Sequence, residues 1–229
     1  MNVLVVAAHP DDEVLGCGGA IAKHAQRGDA VHVLILAEGV TSRNEQRDRD
    51  QSSSELSSLA QAARQASKVL GVSSLKLMDF PDNRMDGCNL LDIVKAIEPA
   101  IQEYQPERIY THYPADLNID HQLVSQAVIT AARPTPKHPT NTILFFEVPS
   151  STEWQVASGT SSFAPNWFVD ISNTLPLKQE ALRMYETEMR PYPHPRSLAA
   201  VEHLAAWRGA TVSLEAAEAF VLARYKEQW

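Results

Sequence analysis

Val3-Leu-Val-Val-Ala-Ala-His-Pro-Asp-Asp-Glu13 is the stretch on which the fold turns. Its six apolar residues run without a polar break, as a strand does when both faces are covered in a parallel sheet. A proline and two aspartates end the run. Beyond them Leu15, Gly18, Ile21, Ala22 and Ala25 fall at helical spacing, and Gly28 follows where a helix is commonly capped. Ala30 to Ala37 is a second buried strand. Strand, helix and strand in such close succession describe a crossover unit, and hence a parallel sheet.

The pattern continues outward from this unit. Leu56, Leu59, Ala63, Ala66 and Leu70 share one helical face, stopped by Gly71. A short strand, Leu75 to Met78, enters the turn-rich Asp79-Phe-Pro-Asp-Asn-Arg84. Leu90 to Tyr104 is amphipathic, with Pro99 predicted to kink or shorten the helix. Arg108 to His112 is a fourth strand, and a helix carrying Val124, Ala127, Val128 and Ala131 follows a loop. Further strands are expected at Ile143 to Val148 and Trp167 to Ile171, and helices around Leu175 to Glu188 and Ser197 to Arg208. The expectation is a single domain over residues 1–229: a Rossmann-like three-layer α/β fold with a mainly parallel sheet and a mostly helical C-terminal third.

Bulk properties narrow the function. With 44% hydrophobic and 21% charged residues, the chain can build an ordinary core. A formal charge of −8 argues against general nucleic-acid binding, which needs clustered Lys and Arg. The first apolar run is too short for a membrane span or a signal peptide. Two cysteines, Cys17 and Cys88, form no disulfide framework, in keeping with a cytoplasmic location.

Two clusters carry the chemistry. His9, Asp11 and Asp12 follow strand one, and His112, Asp116, Asn118, Asp120 and His121 follow strand four. In doubly wound sheets these strands are neighbours where the strand order reverses, and ligands bind beyond their carboxyl ends. Imidazole and carboxylate are zinc ligands, and a catalytic zinc keeps three of them plus a water. His9 and Asp12 can turn inward together from one corner, with His121 as a third ligand and Asp11 left beside the water as base. Each residue alone has a plainer reading: an aspartate there caps a helix, and His112 packs at a strand end.

The first stretch also closely resembles the signature of the LmbE-like/PIG-L deacetylase family. Asp116-Leu-Asn-Ile-Asp-His121 resembles that family's second metal motif. The likeness extends to Glu38 to Arg43, Asp79 to Arg84, Glu147 to Trp154 and Met189 to Ser197. It implies a zinc-dependent N-deacetylase acting on GlcNAc-type groups, with His9, Asp12 and His121 as metal ligands and Asp11 as general base. Ferrous iron or another divalent metal can occupy such a site. The implied partner is a small amino-sugar substrate, free or nucleotide-linked, with no nucleic acid and no membrane. Relatives are often homo-oligomers.

One position departs from the pattern. Many relatives carry a second histidine where this chain has Asn118, and an amide cannot shuttle a proton at neutral pH. Asn118 is therefore expected as an oxyanion or substrate contact, Asp120 as a group orienting its neighbours, and His194 as replacement acid, with His112 in reserve. Arg43, Arg84 and Arg196 are candidate contacts to anionic or hydroxyl groups. Trp154 and Tyr192 can stack on a sugar, whereas Trp167 and Tyr185 fit core packing better. Gly16, Gly18 and Gly19 lack dinucleotide-loop spacing and suit close helix packing, which disfavours an oxidoreductase. An amidase acting on a thiol-sugar conjugate, or a non-catalytic metal- or carbohydrate-binding member of the fold, are the other readings.

Overall fold

The computed structural model describes residues 1–43, 47–135, 138–156 and 162–227, except for the side chain of Arg43. Seven strands form one sheet: β1 (Asn2–Ala7), β2 (Ala30–Ala37), β3 (Ser74–Phe80), β4 (Arg108–His112), β5 (Thr142–Phe146), β6 (Trp167–Asp170) and β7 (Ala217–Tyr225). Six helices flank it: α1 (Asp12–Gln26), α2 (Ser53–Leu70), α3 (Leu90–Tyr104), α4 (Ile119–Ala131), α5 (Leu175–Met184) and α6 (Leu198–Ala210). The strand order is β3-β2-β1-β4-β5-β7-β6. The pairs from β3 to β5 are parallel, and β7 runs antiparallel between β5 and β6.

Strand periodicity makes the three layers. Val3, Val5 and Ala7 pack beneath α1, α2 and α5, while Leu4, Val6 and Ala8 pack beneath α3 and α4. A residue of this size contributes about 1.5–3 kcal/mol when fully buried, so β1 anchors both cores. Because β1 and β4 pair directly, with Val5 opposite Tyr110, the order reverses between them. The two residue clusters therefore emerge side by side.

Helix α1 is packed too closely for side chains at two glycines. A Cβ on Gly16 would lie 2.3 Å from Phe146, and one on Gly19 would lie 2.7 Å from Ile171. The helix is also broken at Cys17 (φ −148°, ψ 24°). Glu218 Oε1 and Oε2 accept from the Gly19 and Ala20 amides at 2.9 and 2.7 Å. Buried Lys178 donates to the Leu15 carbonyl at 2.8 Å and to Glu218 at 2.6 Å. The break is thus satisfied from β7 and α5, as buried backbone groups require.

Two features differ from the sequence reading. Strand β7 lies in a region expected to be mostly helical, because Ala217, Glu218 and Ala219 carry no strand propensity and pairing on both sides imposes the conformation. Helix α3 runs unbroken through Pro99. The proline is exposed, so the carbonyl it deprives of a partner faces solvent.

Candidate metal centre and catalytic cavity

The end of β1 delivers His9, and the chain then turns sharply into α1. Asp11 makes the turn at φ 116°, a region that favours glycine, so strain is held at this corner. The Asp11 amide donates to Glu13 Oε2 at 3.0 Å, and the Tyr185 hydroxyl donates to Glu13 Oε1 at 2.6 Å. Asp12 folds back to accept from the His9 amide at 2.9 Å. In the loop beyond the neighbouring strand β4, Asn118 caps α4 by accepting from the Asp120 and His121 amides, which fixes His121 in the first turn.

Three donor atoms meet here. His9 Nδ1 lies 3.2 Å from Asp12 Oδ2, His121 Nε2 lies 3.2 Å from the same oxygen, and the two ring nitrogens are 3.3 Å apart. A tetrahedral zinc with arms of about 2.0–2.1 Å requires ligand edges of roughly 3.3–3.4 Å. The triangle matches one face of that tetrahedron. Asp12 Oδ1 is buried without a hydrogen-bond partner, a further sign that the carboxylate is arranged for a cation. Among the described residues, His9, Asp12 and His121 form one of two groups able to hold a metal; the other joins His9 to Asp82 and Asp120.

The electrostatics agree. Burial opposes charge on both ligand imidazoles, but Asp12 and Asp120 lift His9 well above its ordinary value, and Asp12 and Asp116 lift His121 to about 9. Burial likewise opposes a charged Asp12, yet His121 and the adjoining imidazoles hold it well below the carboxylate range. The site is built to hold positive charge.

Around the triangle, carboxylates orient the imidazoles, as metal-binding histidines usually require. Asp120 Oδ2 and Asp82 Oδ1 approach His9 Nε2 at 3.0 and 3.2 Å. Asp120 also accepts from the Asn83 and Met85 amides, so the turn after β3 locks it in place. Asp116 Oδ1 lies 3.1 Å from His121 Nδ1, and the Ser151 and Thr152 hydroxyls donate to Asp116. Asp82, Glu13 and Tyr185 were not anticipated. The carboxylate at the end of β3 was visible as a site cue, whereas Tyr185 occupies an apolar position and gave no signal.

A cavity of about 110 Å³ opens over the centre, lined among others by His9, Asp11, Asp82, Asn118 and Arg196. Burial, opposed by Arg196 and reinforced by Asp12, pushes Asp11 up to about 8. Arg196 donates to Asp11 Oδ2 at 2.9 Å and to Ser150 Oγ at 2.7 Å, so this arginine holds the carboxylate at the cavity wall. Asn118 spends Nδ2 on Asn83 Oδ1 at 2.7 Å.

The remaining expected residues are not gathered at the cavity. His194 is absent from its lining; its Nδ1 accepts from the Arg196 amide at 3.1 Å, and its ring meets Trp154 edge-on at 5.8 Å. His112 is buried, its Nε2 accepts from the Ala8 amide at 2.8 Å, and its ring stacks on His121. Burial, reinforced by His121, pushes it well below its ordinary value. Arg84 is exposed and does not line the cavity. The Arg43 side chain lies outside the described residues.

Comparison with known proteins follows the same lines. Residues 4–132 match the family model described as PIG-L: GlcNAc-PI de-N-acetylase. An uncharacterized deacetylase, YaiS, of Escherichia coli (strain K12) is 32% identical over 155 residues, covering 66% of this chain and 75% of that protein. A probable N-acetyl-α-D-glucosaminyl L-malate deacetylase 2 of Bacillus cereus is 29% identical over 138 residues, 59% of this chain and 63% of that protein. The solved N,N′-diacetylchitobiose deacetylase of Pyrococcus horikoshii superposes with a TM-score of 0.77 at 18% identity, covering 97% of this chain and 84% of that one, a likeness of fold.

Proposed function

The chain belongs to the PIG-L family, and from that premise we propose that it is a metal-dependent hydrolase removing the acetyl group from a GlcNAc-type amino sugar or conjugate. The observation that carries the reading is the triangle of His9 Nδ1, Asp12 Oδ2 and His121 Nε2 beneath a cavity lined by Asp11. These three residues would hold a divalent cation. Zinc suits the two-nitrogen, one-oxygen set, and ferrous iron or cobalt accept the same donors. A cation held there supplies Lewis acidity toward the amide carbonyl and lowers the pKa of attacking water.

The proton work falls to the protein. Asp11 takes a proton as water adds to the carbonyl carbon, and Arg196 keeps the carboxylate aimed while it does so. The same carboxyl then returns that proton to the departing nitrogen as the C–N bond breaks. Acetate and a free amine leave. Asp11 thereby fills the place assigned to His194 in the sequence reading, and His194 braces Arg196. Asn118 is proposed to meet substrate hydroxyls at the rim, and Asp120 to steer His9.

Among the described residues no helix is long and apolar enough to cross a membrane, and both cysteines are free. We read the enzyme as cytoplasmic. The test is acetate release from N-acetylglucosamine conjugates that are free, nucleotide-linked or thiol-bearing, before and after chelation. Release that stops with chelator and returns with zinc is expected; release indifferent to chelation defeats the mechanism. Bound zinc with no release from any conjugate points to a non-catalytic member of the fold.

A further inference from the structure

At the opposite end of the sheet from the donor triangle lies a hollow that the reaction does not use. It measures about 300 Å³, and Lys23, Arg27, Arg108, Trp167 and Asp170 are among its lining. Arg108 opens β4, whereas His121 lies beyond the far end of that strand; Lys23 and Arg27 stand at the end of α1, about three turns or more beyond Asp12. Three cations thus face one carboxylate, in a chain whose formal charge is −8. That carboxylate is already engaged: Asp170 Oδ1 accepts from the Ser172 amide and hydroxyl at 3.0 and 2.6 Å, and Oδ2 lies 3.7 Å from Lys23 Nζ. Among the described residues neither Arg27 nor Arg108 has an acidic partner.

Lys23 and Arg27 have an ordinary use, since cations are favoured at the C-terminal end of a helix. Arg108 has none. Its Nη1 reaches the Tyr110 hydroxyl at 3.5 Å, its Cζ lies 5.5 Å from the Trp167 ring centroid, and its Nε is buried without a hydrogen-bond partner. Buried donors are rarely left so. The Trp167 ring holds the guanidinium in place, and such a planar fork of donors matches the oxygens of a phosphoryl group. We propose that this hollow is a second binding site, for a phosphoryl dianion seated on Arg108 with Lys23 and Arg27 around it. A phosphate monoester carries roughly −1.5 to −2 near neutrality, which matches the excess of positive charge left by one carboxylate among three cations. The cations act on one volume: burial pushes His24, in the same lining, below its ordinary value, and Arg108 and Arg27 press it further against the pull of Asp29. Trp167 and Phe168 give the hollow an apolar wall for a small group esterified to the phosphate. The site uses none of the groups assigned to deacetylation.

The test is isothermal titration calorimetry of the zinc-loaded full chain with ribose 5-phosphate, inorganic phosphate and ribose in turn. Ribose 5-phosphate is expected to bind with a Kd of about 1 mM or tighter, and ribose not at all. Arg108→Met should weaken the ester at least about tenfold, the scale of one hydrogen bond to a charged group. Arg108→Lys should recover only part of that loss, because the charge returns without the fork. Arg27→Glu, at an exposed position, gives the same readout should Arg108→Met fail to fold. His121→Ala, far from the hollow, should bind the ester as the wild type does. Inorganic phosphate that binds at least as tightly as the ester names free phosphate as the occupant, and weaker phosphate binding assigns the rest of the hollow to the esterified group; either upholds the site. An absence of binding by the wild type overturns it, as does ester binding that survives the arginine changes. Binding abolished by His121→Ala also overturns it, because the phosphate would then sit at the donor triangle.

Discussion

The half of the molecule built from β1 to β4 and the half built from β5, β7 and β6 with α5 and α6 contribute to the site in different ways. The first half supplies every atom of the donor triangle and the carboxylates behind it: His9, Asp12, His121, Asp82, Asp116 and Asp120. The second half supplies no ligand. It sends Tyr185 to Glu13, Arg196 to Asp11, the Ser151 and Thr152 hydroxyls to Asp116, and the Lys178–Glu218 pair to the break in α1. On the proposed reading one half would hold the cation and the other would aim the side chains around it. Substitutions in the first half should therefore strip metal, while those in the second should leave metal bound and alter rate or stability.

The largest effect should come from His121→Ala, which removes one of the three proposed ligands. Acetate release is expected to fall more than about 10³-fold, since the metal supplies several kcal/mol of transition-state stabilisation and each 1.36 kcal/mol is tenfold. Zinc content measured by atomic absorption should fall with it. Full metal occupancy in this variant would break the division between the halves.

Next comes Lys178→Met in the second half. Removing one partner of a buried ion pair leaves the other charge unpaired, at a cost of about 3–5 kcal/mol. Urea unfolding should report that loss, and Lys178→Met combined with Glu218→Gln should lose less than the sum of the two single changes. The folded fraction should still bind zinc. A stability change below about 1 kcal/mol, the worth of an exposed pair, would mean that the clamp on α1 is idle.

How much of this was legible in the sequence follows the same boundary. The crossover units β1-α1-β2 and β4-α4 are written in uninterrupted apolar runs and helical spacing, and their ends carry the His and Asp residues that drew attention first. Local pattern and tertiary fold agree there. Strand β7 is the opposite case: Ala-Glu-Ala at its start suits a helix, and only pairing with β5 and β6 makes it a strand. Tyr185 is equally silent, because a buried tyrosine on an apolar face looks like core until its hydroxyl is found on Glu13. His194 shows the converse. A loop histidine beside an arginine suggests catalysis, and in the structure its Nδ1 accepts from the Arg196 amide.

A smaller effect is expected from Asp82→Asn, which sharpens the first half's role. Asp82 and Asp120 both face His9 Nε2, which leaves Nδ1 facing Asp12 and His121. Losing a partner of this kind typically weakens metal binding 10- to 100-fold. Competition with a chromophoric chelator should find the zinc Kd raised within that range while the thermal midpoint of the metal-free protein hardly moves. An unchanged Kd would leave Asp120 as the sole orienting group.

Tyr185→Phe should have the smallest effect, and it is the most discriminating test of the second half. The hydroxyl donates to Glu13 Oε1 at 2.6 Å, and Glu13 Oε2 takes the Asp11 amide at 3.0 Å. That amide belongs to a residue held at φ 116°, and such strain, on the order of 1–3 kcal/mol, persists only where surrounding contacts enforce it. Without the hydroxyl, Glu13 keeps its burial but loses an anchor, and the turn presenting Asp11 can relax. A loss of roughly 1.5 kcal/mol, the low end for a hydrogen bond to a charged group, corresponds to about tenfold. With Asp11 as the proposed base, the loss should appear in kcat, with KM and zinc content unchanged. A rise in KM at constant kcat would instead place Tyr185 among the groups that shape the cavity, and the separation between holding and aiming would no longer run between the two halves.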